Sequence, residues 1–251
     1  AKKQNPGAVA VLTGCWPQAF PGEAEAFLEA DVVLGTANRR ALLPRVLEYL
    51  STKQRVVDIQ AHSPGEGFEK LSVSGLQGRT RAFLKIEDGC NRFCSYCIIP
   101  YARGRVRSKP LSDIREEARL LAGRGYQEIV LTGINLPAYG QDIGLHLCDA
   151  VEAVCGAEGI CRVRLGSLEP EQLTPPVIKR FAAQEKLCPQ FHLSLQSGCG
   201  ETLRRMNRHY TPAEYRKIVA DLREAFPGCA ITTDVMVGFA GETEEEFQES
   251  L

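Results

Sequence analysis

The sequence predicts an α/β fold: a run of β-α units around a parallel sheet, preceded by the end of a smaller α/β domain. From Arg79 onward, five short apolar strand candidates alternate with amphipathic segments, at 81–86, 128–132, 161–166, 190–196 and 230–237. Upstream, two more strand candidates with helices between them are set apart by a stretch rich in Gly, Ser and Pro.

In chain order, residues 8–12 (Ala-Val-Ala-Val-Leu) read as a buried strand running into Thr13-Gly14-Cys15. A helix follows Pro21, and Asp31–Gly35 is a second short strand. Asn38 is placed to cap a helix that ends near Leu50. Two strands with helices look like the tail of a domain, over residues 1–58. Residues 59–75 lack periodicity and read as a linker, so the β-α series occupies 76–251. Within it, Tyr215, Ile218, Val219, Leu222 and Phe226 share one helical face. Thr211-Pro212-Ala213-Glu214 opens that helix with an N-cap, a proline at the first position and a capping-box glutamate. Thr243 and Glu246 repeat the capping box at the last helix. Five consecutive units argue for a parallel sheet, open or closed into a barrel.

The 251 residues are 44% hydrophobic and 24% charged with a net charge of −1, the profile of a folded chain rather than a disordered one. Near-neutrality gives no global case for nucleic acid, so any such case rests on local patches. No apolar run reaches eighteen residues, so no membrane helix is expected. The start lacks a secretory signal and does not begin with Met, and the end reads as a helix cut short. A fragment truncated at both ends is therefore expected. Ten cysteines would allow five disulfides in a secreted protein. A chain with its own core and three cysteines within eight residues points instead to metal binding in the cytoplasm.

Those three are Cys90, Cys94 and Cys97, on a loop that follows the first strand of the series. Active groups of such folds sit at the carboxyl ends of strands, so the position suits chemistry. Three thiolates can each bind one iron of a four-iron cubane and leave the fourth iron open to a ligand. A structural zinc site would require a fourth ligand from elsewhere. Coincidental packing cysteines do not suit a loop that also carries Asn91, Arg92 and Ser95.

The loop resembles that of the radical-SAM superfamily. The resemblance covers residues 76–251 and implies a (β/α)6 barrel, here partial because five units are counted and the sixth would lie beyond Leu251. It also implies that the open iron chelates S-adenosylmethionine, whose reductive cleavage yields a 5′-deoxyadenosyl radical. The match extends further. Asp88 to Gly104, His192-Leu193-Ser194-Leu195-Gln196-Ser197-Gly198, Arg204-Arg205-Met206-Asn207-Arg208 and Asp234-Val235-Met236-Val237-Gly238-Phe239 are similar to the methylthiotransferases. Thr13-Gly14-Cys15-Trp16-Pro17-Gln18 resembles the last cysteine motif of that family's amino-terminal domain, where three cysteines hold a second 4Fe–4S cluster. Cys15 matches the third ligand, and the other two would precede Ala1. The resemblance thus implies two 4Fe–4S clusters in the full-length protein, S-adenosylmethionine, and an electron donor such as a flavodoxin or ferredoxin. Cys148, Cys155, Cys161, Cys188, Cys199 and Cys229 stand in apolar or helical contexts and are expected to pack. Within the family, Leu187-Cys188-Pro189 and Ala230-Ile231-Thr232-Thr233-Asp234 are most similar to the branch that methylthiolates threonylcarbamoyl-adenosine beside the tRNA anticodon. Ser194 and Ala240 depart from its usual prolines.

Further cofactor contacts are expected at the strand ends. Gly133 and Asn135 close the second strand, where a glycine lets backbone approach a ligand; a plain turn is the alternative. Ser167 and Glu169 close the third, where a carboxylate suits ribose hydroxyls or an amino group and equally suits a helix N-terminus. Gln196 closes the fourth and Gly238 the fifth. Residues 79–109 hold eight Lys or Arg against Glu87 and Asp88, a local net of +6. Arg103, Arg105 and Arg107 are thereby candidates for phosphates of a tRNA anticodon loop, with a solvated basic loop as the alternative. Three functions follow: modification of threonylcarbamoyl-adenosine or of isopentenyl-adenosine in tRNA; modification of an Asp in a ribosomal protein; or a non-enzymatic iron–sulfur or zinc module, which the open coordination disfavours.

Overall fold

The structure, a computed structural model, describes residues 2–70 and 80–251. The last part of the expected linker, the start of the β-α series at residue 76, and Arg79 lie outside the described residues. The chain forms two compact units that do not follow sequence order. The first comprises Ala1–Glu66, Gly89–Phe93 and Cys97–Arg105, and the second Gly67–Asp88, Cys94–Tyr96 and Val106–Leu251.

The first unit is a three-stranded parallel sheet in the order β1 (Val11–Thr13), β2 (Val32–Leu34), β3 (Val56–Asp58). All three residues of β2 are fully buried, as the apolar run Asp31–Gly35 implies for a central strand. Helices α1 (Cys15–Ala19) and α2 (Pro21–Ala26) follow β1, and α3 (Leu42–Thr52) links β2 to β3. The expected tail domain therefore has three strands, not two. Val56-Val57-Asp58 is too short to show a period, and only its pairing with β2 makes it a strand. Asn38 does not cap α3. It precedes a short 3-10 turn, and its side chain donates to the Asp58 carbonyl at 3.2 Å. The short helix α4 (Ile99–Arg103) also belongs to this unit, with Pro100 and Ala102 buried.

The second unit carries the β-α series. β4 (Arg81–Lys85), β7 (Glu128–Thr132) and β8 (Arg162–Leu165) form one parallel sheet; β9 (Ser167–Leu168), β10 (Gln190–Leu193) and β11 (Ala230–Thr232) form another. Only Gly166 separates β8 from β9, so one bent strand serves both sheets. The result is five successive parallel units, open rather than closed among the described residues. A two-stranded antiparallel ladder, β5 (Glu87–Asp88) with β6 (Arg107–Ser108), extends the end of β4. Helices α5 (Leu111–Gly123), α6 (Leu147–Cys155), α7 (Pro175–Ala182), α8 (Gly200–Arg205) and α9 (Pro212–Ala225) connect the strands, and α10 (Glu244–Ser250) follows β11.

The core lies between strands and helices. Ile129, Leu131, Val163, Phe191 and Leu193 meet Ile114, Val151, Val154, Phe181 and Leu222. The α9 stripe packs as read, and Phe226 stands edge-on to Phe191 at 4.9 Å. Of the six cysteines expected to pack, Cys148, Cys155, Cys188 and Cys199 are buried and Cys229 is half-buried. Cys161 is exposed, at the mouth of β8, and does not pack. Burial pushes the Cys148 and Cys155 thiols up to about 11, so they stay protonated. No helix among the described residues is long and apolar enough to cross a membrane.

Both capping boxes form. Thr211 accepts from the Glu214 N–H at 3.2 Å, while the Glu214 carboxylate accepts from the Thr211 N–H at 2.7 Å. Thr211→Ala should cost about 1 kcal/mol and Thr211→Ser far less, read as the shift in urea midpoint at constant slope.

Candidate functional site

At Gly89 the chain leaves the β5–β6 ladder and enters the cysteine loop. Gly89 has φ +85, and a Cβ there would lie 2.0 Å from the Arg105 carbonyl oxygen, so only glycine fits. The Cys90 N–H donates to the Gly104 carbonyl at 3.0 Å, which closes the base of the loop within the first unit. Phe93 holds a left-handed backbone, φ +53, a strained state that concentrates at functional loops. Its ring meets Tyr101 edge-on, and the Arg105 guanidinium lies 5.1 Å from its centroid.

Cys90, Cys94 and Cys97 are all half-buried, and none is in a disulfide. The Arg92 N–H donates to Cys90 Sγ at 3.4 Å, and Arg208 Nη1 donates to Cys94 Sγ at 3.4 Å. Such donors suit sulfur that carries negative charge. No group of three or more His, Cys, Asp or Glu side chains among the described residues is arranged around a single metal ion. A cubane differs, because each thiolate binds a separate iron and its ligands stand further apart than those of one ion. The donor set suits a 4Fe–4S cluster in its chemistry: each of the three cysteines keeps its thiol out of a disulfide, and Cys90 and Cys94 each accept from an N–H donor. Cys15, in the first unit, accepts from Arg103 Nε at 3.2 Å.

In the second unit, the strand ends carry the remaining candidates. Arg208 lies there with 4% of its side chain exposed. It pairs with Glu169 at 2.5 Å, donates to the Ser194 carbonyl at 3.3 Å and to the Tyr210 hydroxyl at 3.2 Å, and lies 5.1 Å from the Tyr210 ring centroid. Burial is the largest influence and opposes its charge, but Glu169, Tyr210 and Cys94 together outweigh it and raise its pKa, so Arg208 stays charged. The Tyr210 hydroxyl in turn donates to the Ser194 and Leu195 carbonyls, at 2.6 Å each. Ser167 is exposed on β9. Gln196 has a left-handed backbone, φ +66, and exchanges backbone bonds with Asp234 and Met236. The Gly238 N–H donates to Glu242 Oε2 at 2.5 Å.

Asn135 is buried, and its N–H donates to Glu87 Oε2 at 2.7 Å. The space beside Gly133 is filled: a Cβ would lie 2.6 Å from Glu87 Oε2 and 3.0 Å from its Cβ. The close approach that Gly133 permits is thus made by the chain's own carboxyl. Neither Glu87 nor Arg208 stood out in the sequence as a site residue. An arginine among five Arg residues between 204 and 223, or a Glu at a strand end, gives no local sign of burial.

Among the eight cations of the basic segment, Lys85, Arg107 and Lys109 are paired within the fold. Arg107 is 5% exposed and stands 3.8 Å from Asp88, so it serves the β5–β6 ladder rather than a surface. Lys85 pairs with Asp88 at 2.5 Å, and Lys109 pairs with Glu117. Arg105 is exposed and Arg103 half-buried. A concavity of about 720 Å³ between α5 and α6, lined by Arg115, Arg119, Asp149 and Glu152 among others, contains none of the candidates.

A cysteine loop at the end of the first of five parallel β-α units defines a class, and comparison with known proteins agrees. Residues 84–251 match the radical SAM superfamily, and the chain belongs to it. Membership implies a 4Fe–4S cluster and S-adenosylmethionine. The chain is similar over its whole length to threonylcarbamoyladenosine tRNA methylthiotransferase MtaB of Aquifex aeolicus, with 40% identity over 61% of that protein. It is also similar to MtaB of Bacillus subtilis, with 39% identity over 56%. A tRNA-2-methylthio-N(6)-dimethylallyladenosine synthase of Pelotomaculum thermopropionicum is 36% identical over 57% of its length. The chain therefore spans between half and two thirds of these relatives. In fold it is similar to the cobalamin-dependent S-adenosylmethionine radical enzyme OxsB, with TM-score 0.65 and 12% identity over 99% of this chain and 40% of that one. The radical S-adenosylmethionine methyltransferase TsrM of Kitasatospora setae gives TM-score 0.55 and 20% identity over 66% of this chain and 32% of that one.

Replacing any of Cys90, Cys94 or Cys97 by Ala should abolish the cluster, read as iron content and visible absorbance after anaerobic reconstitution. Cys148→Ala and Cys155→Ala should leave both unchanged. Loss of iron in these two variants, with the fold intact, would place ligands outside the loop.

Proposed function

We propose that the full-length protein is a radical-SAM methylthiotransferase that adds a methylthio group to position 2 of threonylcarbamoyl-adenosine beside the tRNA anticodon. The observation that carries this reading is identity along the whole chain. Three MtaB proteins are 39–40% identical, whereas dimethylallyladenosine synthases are 36–38% identical. The second family keeps isopentenyl-type adenosine as the alternative substrate.

In this reading Cys90, Cys94 and Cys97 hold the reactive cluster, and Cys15 belongs to the ligand set of a second one. When bound, cluster and S-adenosylmethionine supply one-electron chemistry able to remove hydrogen from an unreactive aromatic carbon, which an acid–base pair cannot do. The chain's own groups bind and orient. Ser167, Glu169, Gln196 and Gly238 line the cofactor's place at the strand ends, and Gly133 and Asn135 shape the turn beside it, with Glu87 packed against them. The Arg208–Glu169 pair and Tyr210 fix the backbone at Ser194 and Leu195, which carries Gln196. Arg103 and Arg105 meet phosphates of the anticodon loop, whose single-stranded base can be splayed into a pocket. An electron donor such as a flavodoxin or ferredoxin reduces the cluster, and the reaction takes place in the cytoplasm.

In a strain lacking the gene, mass spectrometry of tRNA nucleosides should show loss of the methylthio mark on threonylcarbamoyl-adenosine. Loss on isopentenyl-adenosine alone would move the substrate, and an unchanged profile would point to a protein target. In the full-length protein, Arg105→Gln should weaken tRNA binding and reduce the slope of log affinity against log salt by about 0.7–0.9, one phosphate contact. Arg107→Gln should lower the melting temperature and leave the salt slope unchanged, because its partner is Asp88.

A further inference from the structure

Glu87 is fully buried, yet a carboxylate has no ordinary place there. Its Oε2 accepts from the Asn135 N–H at 2.7 Å, and its Oε1 has no hydrogen-bond partner. Its side chain lies against the Gly133 Cα, where any larger residue would collide with it. Around it, three further bonds tie the β5–β6 ladder to the segment after β7. The Gly140 N–H donates to Ser108 Oγ at 2.8 Å, the Ser108 N–H to Asp142 Oδ2 at 2.9 Å, and the Tyr139 hydroxyl to the Lys109 carbonyl at 2.9 Å. The Glu87 side chain itself reaches the Gly133–Asn135 turn.

We propose that Glu87 is a positioning residue, held in its neutral, protonated form, that locks the Gly133–Asn135 turn to the ladder leading into the cysteine loop. The bearing of this lock on the cofactor rests on the role given above to Gly133 and Asn135. Asp88 adds negative charge and disfavours ionisation of Glu87, while Lys85 favours it but is engaged by Asp88. Arg107 on β6 is turned to Asp88, and Lys109 to Glu117. Asp142 is engaged with Ser108. Desolvation is the largest influence, ahead of the favourable N–H bonds from Asn135 and Ile134, and pushes Glu87 up to about 8 from 4.5.

The sign of the pH effect follows from linkage. A carboxyl whose pKa is raised when buried binds its proton more tightly with the turn closed. The stabilisation is complete below about pH 4.5 and is lost progressively as pH rises to about 8. Opening that exposes Glu87 should therefore become about tenfold more favourable per pH unit across that window.

Two measurements on the metal-free chain test this. Infrared spectra at pH 7 should contain a protonated-carboxyl band that titrates near pH 8 and is missing in Glu87→Gln. Its absence from the unsubstituted chain would overturn the proposal without reference to any variant. Amide exchange should show protection at Ile134 and Asn135 falling about tenfold per unit between pH 5 and 8. In Glu87→Gln, a neutral isostere that still accepts from Asn135, the profile should be flat. Equal slopes in the two proteins would also overturn it. Neither readout involves iron, S-adenosylmethionine or tRNA, so failure here leaves the methylthiotransferase reading standing, and failure of that reading leaves the lock intact.

Discussion

The parallel pairing of β4 with β7 is the constraint on which the second unit is built. Its register, Arg81↔Glu128 through Lys85↔Thr132, makes the two strands end side by side. The Ile86 N–H then continues the ladder to the Thr132 carbonyl at 2.9 Å. Beyond that point β4 runs into Glu87, Asp88 and the cysteine loop, and β7 runs into Gly133, Ile134 and Asn135. A slip of one residue would turn every side chain to the opposite face and carry Glu87 away from Asn135. Leu84, Ile86, Ile129 and Leu131, all fully buried, hold that register through the core.

Charge is managed locally around this seam. Asp88 draws in Lys85 and Arg107, Glu117 takes Lys109, and Glu87 is kept neutral by burial. Part of the basic stretch that looks in sequence like a surface patch is therefore internal compensation. What is left facing outward, with Arg105 exposed, is smaller and more specific than a net charge suggests. At the fourth strand end the same economy appears in Arg208, which pairs with Glu169 and donates to the Ser194 carbonyl and to Cys94.

The parts of the fold legible in the sequence are those set by local chemistry. The strands after Arg79 show as apolar runs, and both threonine capping boxes show as spaced side chains, because each needs only neighbouring residues. β3 and the β5–β6 ladder do not show, because two or three residues become a strand only by pairing with distant backbone. Arg107 and Arg105 are two positions apart in one basic run; their opposite fates depend on Asp88 and Phe93, which no local pattern announces. Cys161 sits next to an apolar strand yet is exposed, since it precedes the first buried position of β8.

Among the candidate site residues, the cysteines were legible because three soft ligands at close spacing have few other uses. Glu87 and Arg208 were not, because their weight comes from burial and from partners about 50 and 40 residues away or more. The central claim is that Cys90, Cys94 and Cys97 hold a cluster with one iron open to S-adenosylmethionine. Electron paramagnetic resonance of the reduced, reconstituted chain tests it directly. The spectrum of a 4Fe–4S cluster should appear and should change when S-adenosylmethionine is added, because the cofactor's binding alters the coordination of one iron. A spectrum that stays the same at saturating S-adenosylmethionine would contradict an open iron, and with it the radical chemistry.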